Sequence, residues 1–175
     1  MPESSKRRRL RKLEAARGYL MLEMPDHALR EIDSIVDPQA EWFSVNTLRG
    51  EALRQKGSHE AALIAFQRAL LEEPSNIHVL MMMAWCFKRT MQLPRAIEMM
   101  KRAYQHAPEE AVVLYNLSCY FALAGDKTNA LSWLGRAIRM DGSLRELIPD
   151  ETDFDTLRRD PDFQFIVGSA DAIRG

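Results

Sequence analysis

Residues 50–74 read GEALRQKGSHEAALIAFQRALLEEP, and this stretch carries the pattern on which the fold depends. Its central alanine belongs to a series with a constant spacing of 34 residues, Ala28, Ala62, Ala96 and Ala130. The residues four and seven positions after each alanine are apolar or small, and this spacing places them on one face of a helix. A period of this length indicates a chain built from helical repeats.

Each repeat is predicted to contain two helices joined by a short turn. A turn-forming Lys-Gly-Ser sequence stands midway through one repeat, at residues 56–58. Proline suits the first turn of a helix, so Pro25 and Pro94 predict the starts of second helices. Because proline also stops a helix that it follows, Pro74 and Pro108 predict where second helices end.

Small and bulky side chains alternate in register with the alanines. The small residues let the two helices of a pair cross closely, and the bulky ones fill the gap to the next pair. No repeat can bury its apolar face alone, so stacking of the pairs is predicted to make one continuous core. The small set is Gly50, Ala84 and Ser118, and the bulky sets are Leu53, Phe87, Phe121 and Phe66, Met100, Leu134.

A 34-residue unit with these residues resembles the tetratricopeptide repeat. The resemblance implies an all-α fold, a right-handed α-solenoid of four helix-turn-helix repeats with a C-terminal helical cap. We expect the repeats at residues 9–42, 43–76, 77–110 and 111–144, the first of them ending early at Asp37-Pro38. A flexible basic arm is expected at residues 1–8 and the cap at residues 145–175.

The C-terminal cap (residues 145–175) is predicted to cover apolar surface. It is rich in acidic residues but keeps apolar side chains at helical spacing, among them Phe154, Leu157 and Phe163. Asp160-Pro161 is a suitable N-cap and first-turn pair for a final helix. Residues 155–163 are also similar to a C-terminal extension of bacterial proteins in this family, which indicates a bacterial source.

Composition favours a single domain whose surface has no strong overall electrostatic field. The chain has 175 residues, 46% of them hydrophobic, and a formal net charge of −1. Residues 1–12 hold six basic groups and one acidic group, whereas residues 141–175 hold nine acidic and four basic groups. We find no secretory signal and no apolar run of about 18 residues, and Cys86 and Cys119 belong to no CxxC or Cys/His cluster. We therefore expect a cytoplasmic protein with reduced thiols.

No catalytic template is present in the sequence. It contains no GxGxxG, GxxxxGK[ST], HExxH or GxSxG motif, and its four histidines are scattered one per repeat. The densest set of carboxylates, at residues 150–155, lacks the glycine and the spaced glutamate of a calcium loop, so helix capping and solvation explain it better. We predict that the protein is not an enzyme and has neither a cofactor nor a metal site.

The resemblance implies that the first helix of each repeat lines a concave groove. Met81 and Met82 beside Trp85 make the middle of this groove apolar and adaptable, because methionine side chains fit irregular partners. Tyr115 and Cys119 are expected to face Trp85 from the next repeat. The candidate partner-binding residues are Leu48, Glu51, Gln55, His78, Met81, Met82, Trp85, Arg89, Tyr115, Asn116 and Cys119.

Some members of the family grip a C-terminal carboxylate with lysine, asparagine and arginine side chains on three successive first helices. In the register of the three full repeats only one residue fits, Asn116, among the set Thr47, Glu51, Met82, Val112 and Asn116. The leading hypothesis is therefore a protein-protein interaction scaffold or chaperone-like adaptor that binds a peptide or amphipathic helix of a partner in its groove.

Two alternatives stay open. In the first, the protein is a structural module: its own C-terminal tail fills the groove, or Leu10, Leu13 and Leu20 pair two copies into a homodimer. In the second, the basic run from Lys6 to Lys12 contacts nucleic acid, although no aromatic residue is interleaved with its cations to stack on bases.

Overall fold

The computed structural model describes the backbone of residues 2–168 and the side chains of residues 5–168. Within these residues every regular element is an α-helix or a short 3-10 helix, which confirms the predicted all-α class. The chain divides into two compact units, Met1–Met91 (unit 1) and Gln92–Gly175 (unit 2). Residue 1 of the predicted arm and residues 169–175 of the predicted cap lie outside the described residues.

Unit 1 contains five α-helices within its described residues: α1 (Pro2–Met21), α2 (Pro25–Asp33), α3 (Trp42–Gln55), α4 (His59–Leu70) and α5 (Ile77–Arg89). A 3-10 turn at Gln39–Glu41 precedes α3. Helix α1 packs against α2, α3 against α4, and α5 against α4. The first two pairs are the hairpins predicted for residues 9–42 and 43–76, and α2 begins at Pro25 as the sequence indicates.

The core of unit 1 depends on small residues where helices cross. Ala28 and Ala62 are fully buried, in line with their place in the repeat. Gly50 on α3 lies against the ring of Phe66 on α4, and an added Cβ would stand 2.6 Å from Phe66 Cδ1. Leu13 and Leu20 are buried in the same core, only 4% and 6% exposed. Leu13 and Leu20 therefore offer almost no surface to a second copy, which corrects two of the three residues expected at a homodimer interface. The third, Leu10, is 47% exposed.

A residue in the left-handed region recurs at a fixed position of the 34-residue period, in the turns that precede α2, α4 and two helices of unit 2. The backbone φ is +77° at Gly57 and +74° at Gly125, and it is +55° at Glu23 and +60° at Met91. These four positions stand 34 residues apart. Because glycine adopts this conformation without a steric cost and other residues do not, Glu23 and Met91 strain their turns.

The N-terminal basic residues belong to α1 and not to a separate arm. Helix α1 begins at residue 2, which corrects the predicted boundary after residue 8. Lysine and arginine are good helix formers, so the basic run extends the helix. Arg9 Nε also donates to Glu41 Oε2 at 2.7 Å, which ties α1 to the turn before α3.

Unit 2 contains four α-helices within its described residues: α6 (Leu93–His106), α7 (Ala111–Leu123), α8 (Lys127–Met140) and α9 (Pro161–Gly168). Two 3-10 segments, Gly142–Asp150 and Thr152–Phe154, lie between α8 and α9. Helix α7 packs against both α6 and α8, and the second of these pairs is the hairpin predicted for residues 111–144. The division into four repeats stays a prediction, because α5 and α6 fall in different units.

The described part of the cap packs on α7 and α8. Its segment Thr152–Phe154 lies against α7, and α9 lies against α8. Asp160 caps α9, since its Oδ1 accepts the backbone N–H groups of Asp162 at 2.9 Å and Phe163 at 3.3 Å. Phe154, Leu157 and Phe163 are buried, so the cap covers apolar surface as the spacing of these residues predicts.

Candidate functional site

The predicted partner-binding residues are divided between the two units. Eight of them lie in unit 1, and Tyr115, Asn116 and Cys119 lie in unit 2. The predicted pocket combines Trp85 with Tyr115 and so draws on both units.

A cavity of about 420 Å³ opens in unit 1 between α1, α3 and α5. Apolar groups from Leu20, Phe43 and Leu48 line it, and Arg17 contributes a cation. Four predicted residues, Leu48, Glu51, Gln55 and His78, are among the lining residues. A cavity of this size accepts one or two side chains of a partner.

Leu48 and Gln55 have structural roles at this cavity. Leu48 is only 5% exposed and packs in the core, so it forms the floor and not an open contact surface. The amide of Gln55 donates from Nε2 to the carbonyl oxygen of Leu20 at 3.0 Å. This bond joins α3 to α1 and so helps to hold the cavity in shape.

Glu51 and His78 connect α3 to α5 at the cavity. Glu51 Oε1 lies 2.7 Å from His78 Nε2, and the His78 side chain is 57% exposed. The hydrogen bond with Glu51 raises the pKa of His78 above its usual 6.5, and burial opposes the shift. The contact is therefore strongest when the imidazole is protonated.

Trp85 lies two turns after His78 on the same side of α5, and cationic side chains surround it. The guanidinium carbon of Arg54 lies 5.1 Å from the centroid of its ring, and that of Arg89 lies at 5.5 Å. The His59 ring meets the indole edge to face, with a centroid distance of 5.2 Å. Trp85 is half-buried, as are Met81 and Met82. Cations over an indole face attract anions while the ring contributes apolar surface.

Arg54 carries an unused hydrogen-bond donor at this position. Its Nε is buried and has no acceptor among the described residues. The hydroxyl of Thr47 lies two turns earlier on α3, where Thr47 lines the α1/α3/α5 cavity, and it is likewise buried without a partner among the described residues. Buried donors without partners are costly, so both groups are suited to an acceptor that a bound molecule supplies.

The unit 2 half of the predicted pocket is closed by the cap. Tyr115 and Cys119 are 4% and 1% exposed, which corrects the expectation that they face a partner, while Asn116 is half-buried. The ring of Phe154 meets that of Tyr115 edge to face at 5.9 Å. Helix α7 offers apolar surface, and burying Phe154 against it removes both from water.

The Tyr115 hydroxyl is enclosed in this interface. It is buried and has no hydrogen-bond partner among the described residues. Burial raises the pKa of Tyr115, and the nearby Cys119, Glu151 and Asp153 raise it further. The two acidic residues belong to the cap, and they lie beside a residue that the 34-residue pattern predicts to face an open groove.

Sequence reasoning missed Arg17, although the signal for it was present. Arg17 precedes Glu51 by one period of 34 residues, and Trp85 follows Glu51 by the same interval. The groove positions of the later repeats thus extend back to α1. Leu20 and Phe43 carry no comparable signal, since they line the cavity only where α1 and α3 meet.

The family model of the tetratricopeptide repeat matches residues 43–76. Residues 43–76 are a tetratricopeptide repeat. The match covers α3 and α4 of unit 1 and begins and ends at the limits expected for that repeat. It confirms the resemblance drawn from the 34-residue spacing. No curated protein sequence matches the chain.

Solved structures of other tetratricopeptide repeat proteins share the fold. MamA from AMB-1 is 14% identical with a TM-score of 0.71, and the alignment covers 95% of this chain and 93% of that one. MamA from Desulfovibrio magneticus RS-1 is 17% identical with a TM-score of 0.69, over 75% of each chain. YrrB, a TPR protein with an unusual peptide-binding site, is 15% identical with a TM-score of 0.71, over 93% of this chain and 84% of that one.

Tetratricopeptide repeats generally mediate protein-protein interactions and typically act as scaffolds without catalysis. The described part of this chain carries that fold. No helix within residues 2–168 combines the length and apolar character that a membrane span requires.

Proposed function

We propose that this protein is an interaction adaptor that binds an acidic, amphipathic segment of a partner protein at the α1/α3/α5 cavity of unit 1. The observation that carries the proposal is the cavity itself, with its apolar floor and its open access. An apolar side chain of the partner enters the cavity, and neighbouring residues of the same segment lie along the seam between α3 and α5.

The charge along this seam selects the partner's chemistry. Arg54 on α3 and Arg89 on α5 contribute two cations along the seam, and Arg17 on α1 adds a third at the cavity. The carboxylate of Glu51 is already engaged by His78. The buried Nε of Arg54 supports an acceptor from the partner at that point. An arginine beside an aromatic ring binds a carboxylate well because its guanidinium is planar and weakly hydrated. Acidic side chains beside the apolar anchor therefore complement the seam.

Similar proteins support a peptide partner as well. YrrB has a peptide-binding site and shares the fold, and helical grooves that bind amphipathic segments are common in interaction proteins. The alternative hypothesis is a structural module whose own C-terminal tail fills the groove. The contact between Phe154 of the cap and Tyr115 in unit 2 supports this alternative. That observation removes Tyr115 and Cys119 from the proposed surface and leaves the unit 1 residues within it.

Two synthetic peptides test the proposal. They are amphipathic helices of equal length and apolar content, one acidic and one basic, and fluorescence anisotropy measures their binding to the whole chain. We expect the acidic peptide to bind at least about tenfold more tightly, and its binding to weaken as salt rises. The variant Arg54→Glu should remove most of this preference.

The matched control is Arg68→Glu, which reverses the charge of an exposed arginine on α4 that does not line the cavity. It should leave the affinity for the acidic peptide within about twofold, because exposed distant charges are screened. Equal binding of the two peptides, or equal losses from the two variants, would show that the seam does not select an acidic partner.

A further inference from the structure

The cap brings together, against α7 in unit 2, three side chains of the types that serve as metal ligands in proteins. Cys119 on α7 meets Glu151 and Asp153 of the cap, and one donor atom from each lies within 4.8 Å of the other two. A thiolate with two carboxylates is a donor set that zinc accepts. Only packing of the cap creates this set, because Cys119 stands more than thirty residues before the acidic pair in the sequence.

The burial of this cluster is unusual for acidic groups. Asp153 is 5% exposed and Cys119 is 1% exposed, while Glu151 is half-buried. Moving a carboxylate from water into such an interface carries a large desolvation cost. Asp153 and Cys119 already have interactions with other residues, and a cation bound between the donors would add a favourable charge interaction to them.

Tyr115 gives an independent indication of a ligand at this point. It lies one helical turn before Cys119 on the same face of α7, and it is 4% exposed. Its hydroxyl is fully buried and has no hydrogen-bond partner among the described residues. A hydroxyl enclosed beside metal-binding groups suits a water molecule held by a metal ion.

We propose that Cys119, Glu151 and Asp153 bind one Zn²⁺ ion, with a water in the fourth position that hydrogen-bonds to Tyr115. Tetrahedral zinc with bonds of about 2.0 to 2.3 Å separates its donors by about 3.5 Å. Donors within 4.8 Å reach that separation when the side chains close by about 1 Å. The ion links α7 to the cap and so stabilises the packing of the cap on this helix. On binding, the Cys119 thiol forms a bond from sulfur to zinc and releases its proton to solvent.

Titration of the whole chain with Zn²⁺ and with Co²⁺ tests the site. We expect saturable binding of one ion, a melting temperature raised by about 5 °C or more at saturating Zn²⁺, and a near-ultraviolet sulfur-to-cobalt charge-transfer band with Co²⁺. Cys119→Ser should abolish the band and weaken binding more than about a hundredfold, since loss of an outer-shell partner alone costs about 10 to 100-fold.

Matched variants keep the result interpretable. Cys86→Ser removes the other cysteine, which lies in unit 1, and should retain the band. Tyr115→Phe removes a hydroxyl without a partner, so the protein should fold normally while affinity falls by about 10 to 100-fold. Absence of saturable binding to the folded protein would overturn the proposal. The same conclusion follows if Cys119→Ser or Tyr115→Phe, folded by circular dichroism, binds Zn²⁺ as tightly as the unaltered chain.

Discussion

Gly50 and Phe66 approach each other so closely that no larger residue fits at position 50 without movement. A Cβ at position 50 would stand 2.6 Å from Phe66 Cδ1 and 2.8 Å from Phe66 Cζ. Phe66 is fully buried and cannot turn away into solvent. The close crossing of α3 and α4 in this tetratricopeptide repeat therefore depends on the absence of a side chain at Gly50.

Gly50→Ala should destabilise the protein by about 1 to 2 kcal/mol, because the overpacking cost exceeds the gain in helix propensity. Gly18→Ala is the matched control: Gly18 also lies within a helix, and nothing stands within 4 Å of its added Cβ. It should stabilise the protein by about 0.5 to 1 kcal/mol. Urea unfolding measures both changes, and a stabilising Gly50→Ala would contradict the close crossing.

Met91→Gly should stabilise the protein by about 1 kcal/mol, since it removes the left-handed strain of the turn before α6. The side chain lost is 89% exposed, so little burial is given up. Gly57→Ala is the reciprocal change at the equivalent turn. It should destabilise by about 1 to 2 kcal/mol, although nothing lies within 4 Å of the added Cβ. Unfolding curves for the two variants should move in opposite directions.

Trp85→Ala should weaken binding of the acidic peptide by roughly thirtyfold, because aromatic anchors commonly contribute about 2 kcal/mol or more. Trp133→Ala is the control: Trp133 is also half-buried and also carries an arginine, Arg136, 4.5 Å from its ring centroid. Trp133 lies in unit 2, so its loss should leave peptide affinity unchanged. If both variants bind the peptide normally, Trp85 is not part of the binding surface.

His78 should titrate above its usual pKa of 6.5, because Glu51 hydrogen-bonds to the protonated imidazole. The folded-state pKa is the higher one, so the stabilising contribution is complete below the unfolded pKa and is lost as pH rises through the folded pKa. Glu51→Gln should lower the pKa of His78 in an NMR titration. Glu72→Gln alters an exposed carboxylate elsewhere and should leave the His78 titration as it is. An unchanged titration in Glu51→Gln would exclude the contact in solution.

Phe154→Ala should destabilise unit 2 by about 3 to 5 kcal/mol, since it leaves a cavity between the cap and α7. It should also speed the reaction of Cys119 with a thiol reagent. This rate is measured in a protein that also carries Cys86→Ser, so that Cys119 is the cysteine that reacts. Phe165→Ala alters a cap residue that is 76% exposed and should change stability by less than about 0.5 kcal/mol. Equal effects from the two phenylalanines would mean that Phe154 does not hold the cap on α7.

The repeat architecture could be read from the sequence because it is encoded locally. Ala28, Ala62, Ala96 and Ala130 are all fully buried, as their spacing predicts. Helix starts at Pro25 and Pro161 follow from short-range effects of proline and of the N-cap residue. Each of these features needs only a few neighbouring residues, so a period of 34 residues was sufficient to predict the helical hairpins and their small crossing positions.

The candidate sites, by contrast, depended on contacts between residues distant in the chain. Leu48 has the groove position that its repeat predicts, yet packing of α1 makes it the floor of a cavity. Tyr115 and Cys119 have the same kind of position and are buried because Phe154 and Leu157 of the cap must leave water somewhere. The sequence by itself thus determined the helices and the repeat. Only the tertiary structure decided which groove positions stay open and which acidic residues meet Cys119. The hydrophobic effect is non-directional, so the sequence pattern does not specify which apolar surfaces will pack together.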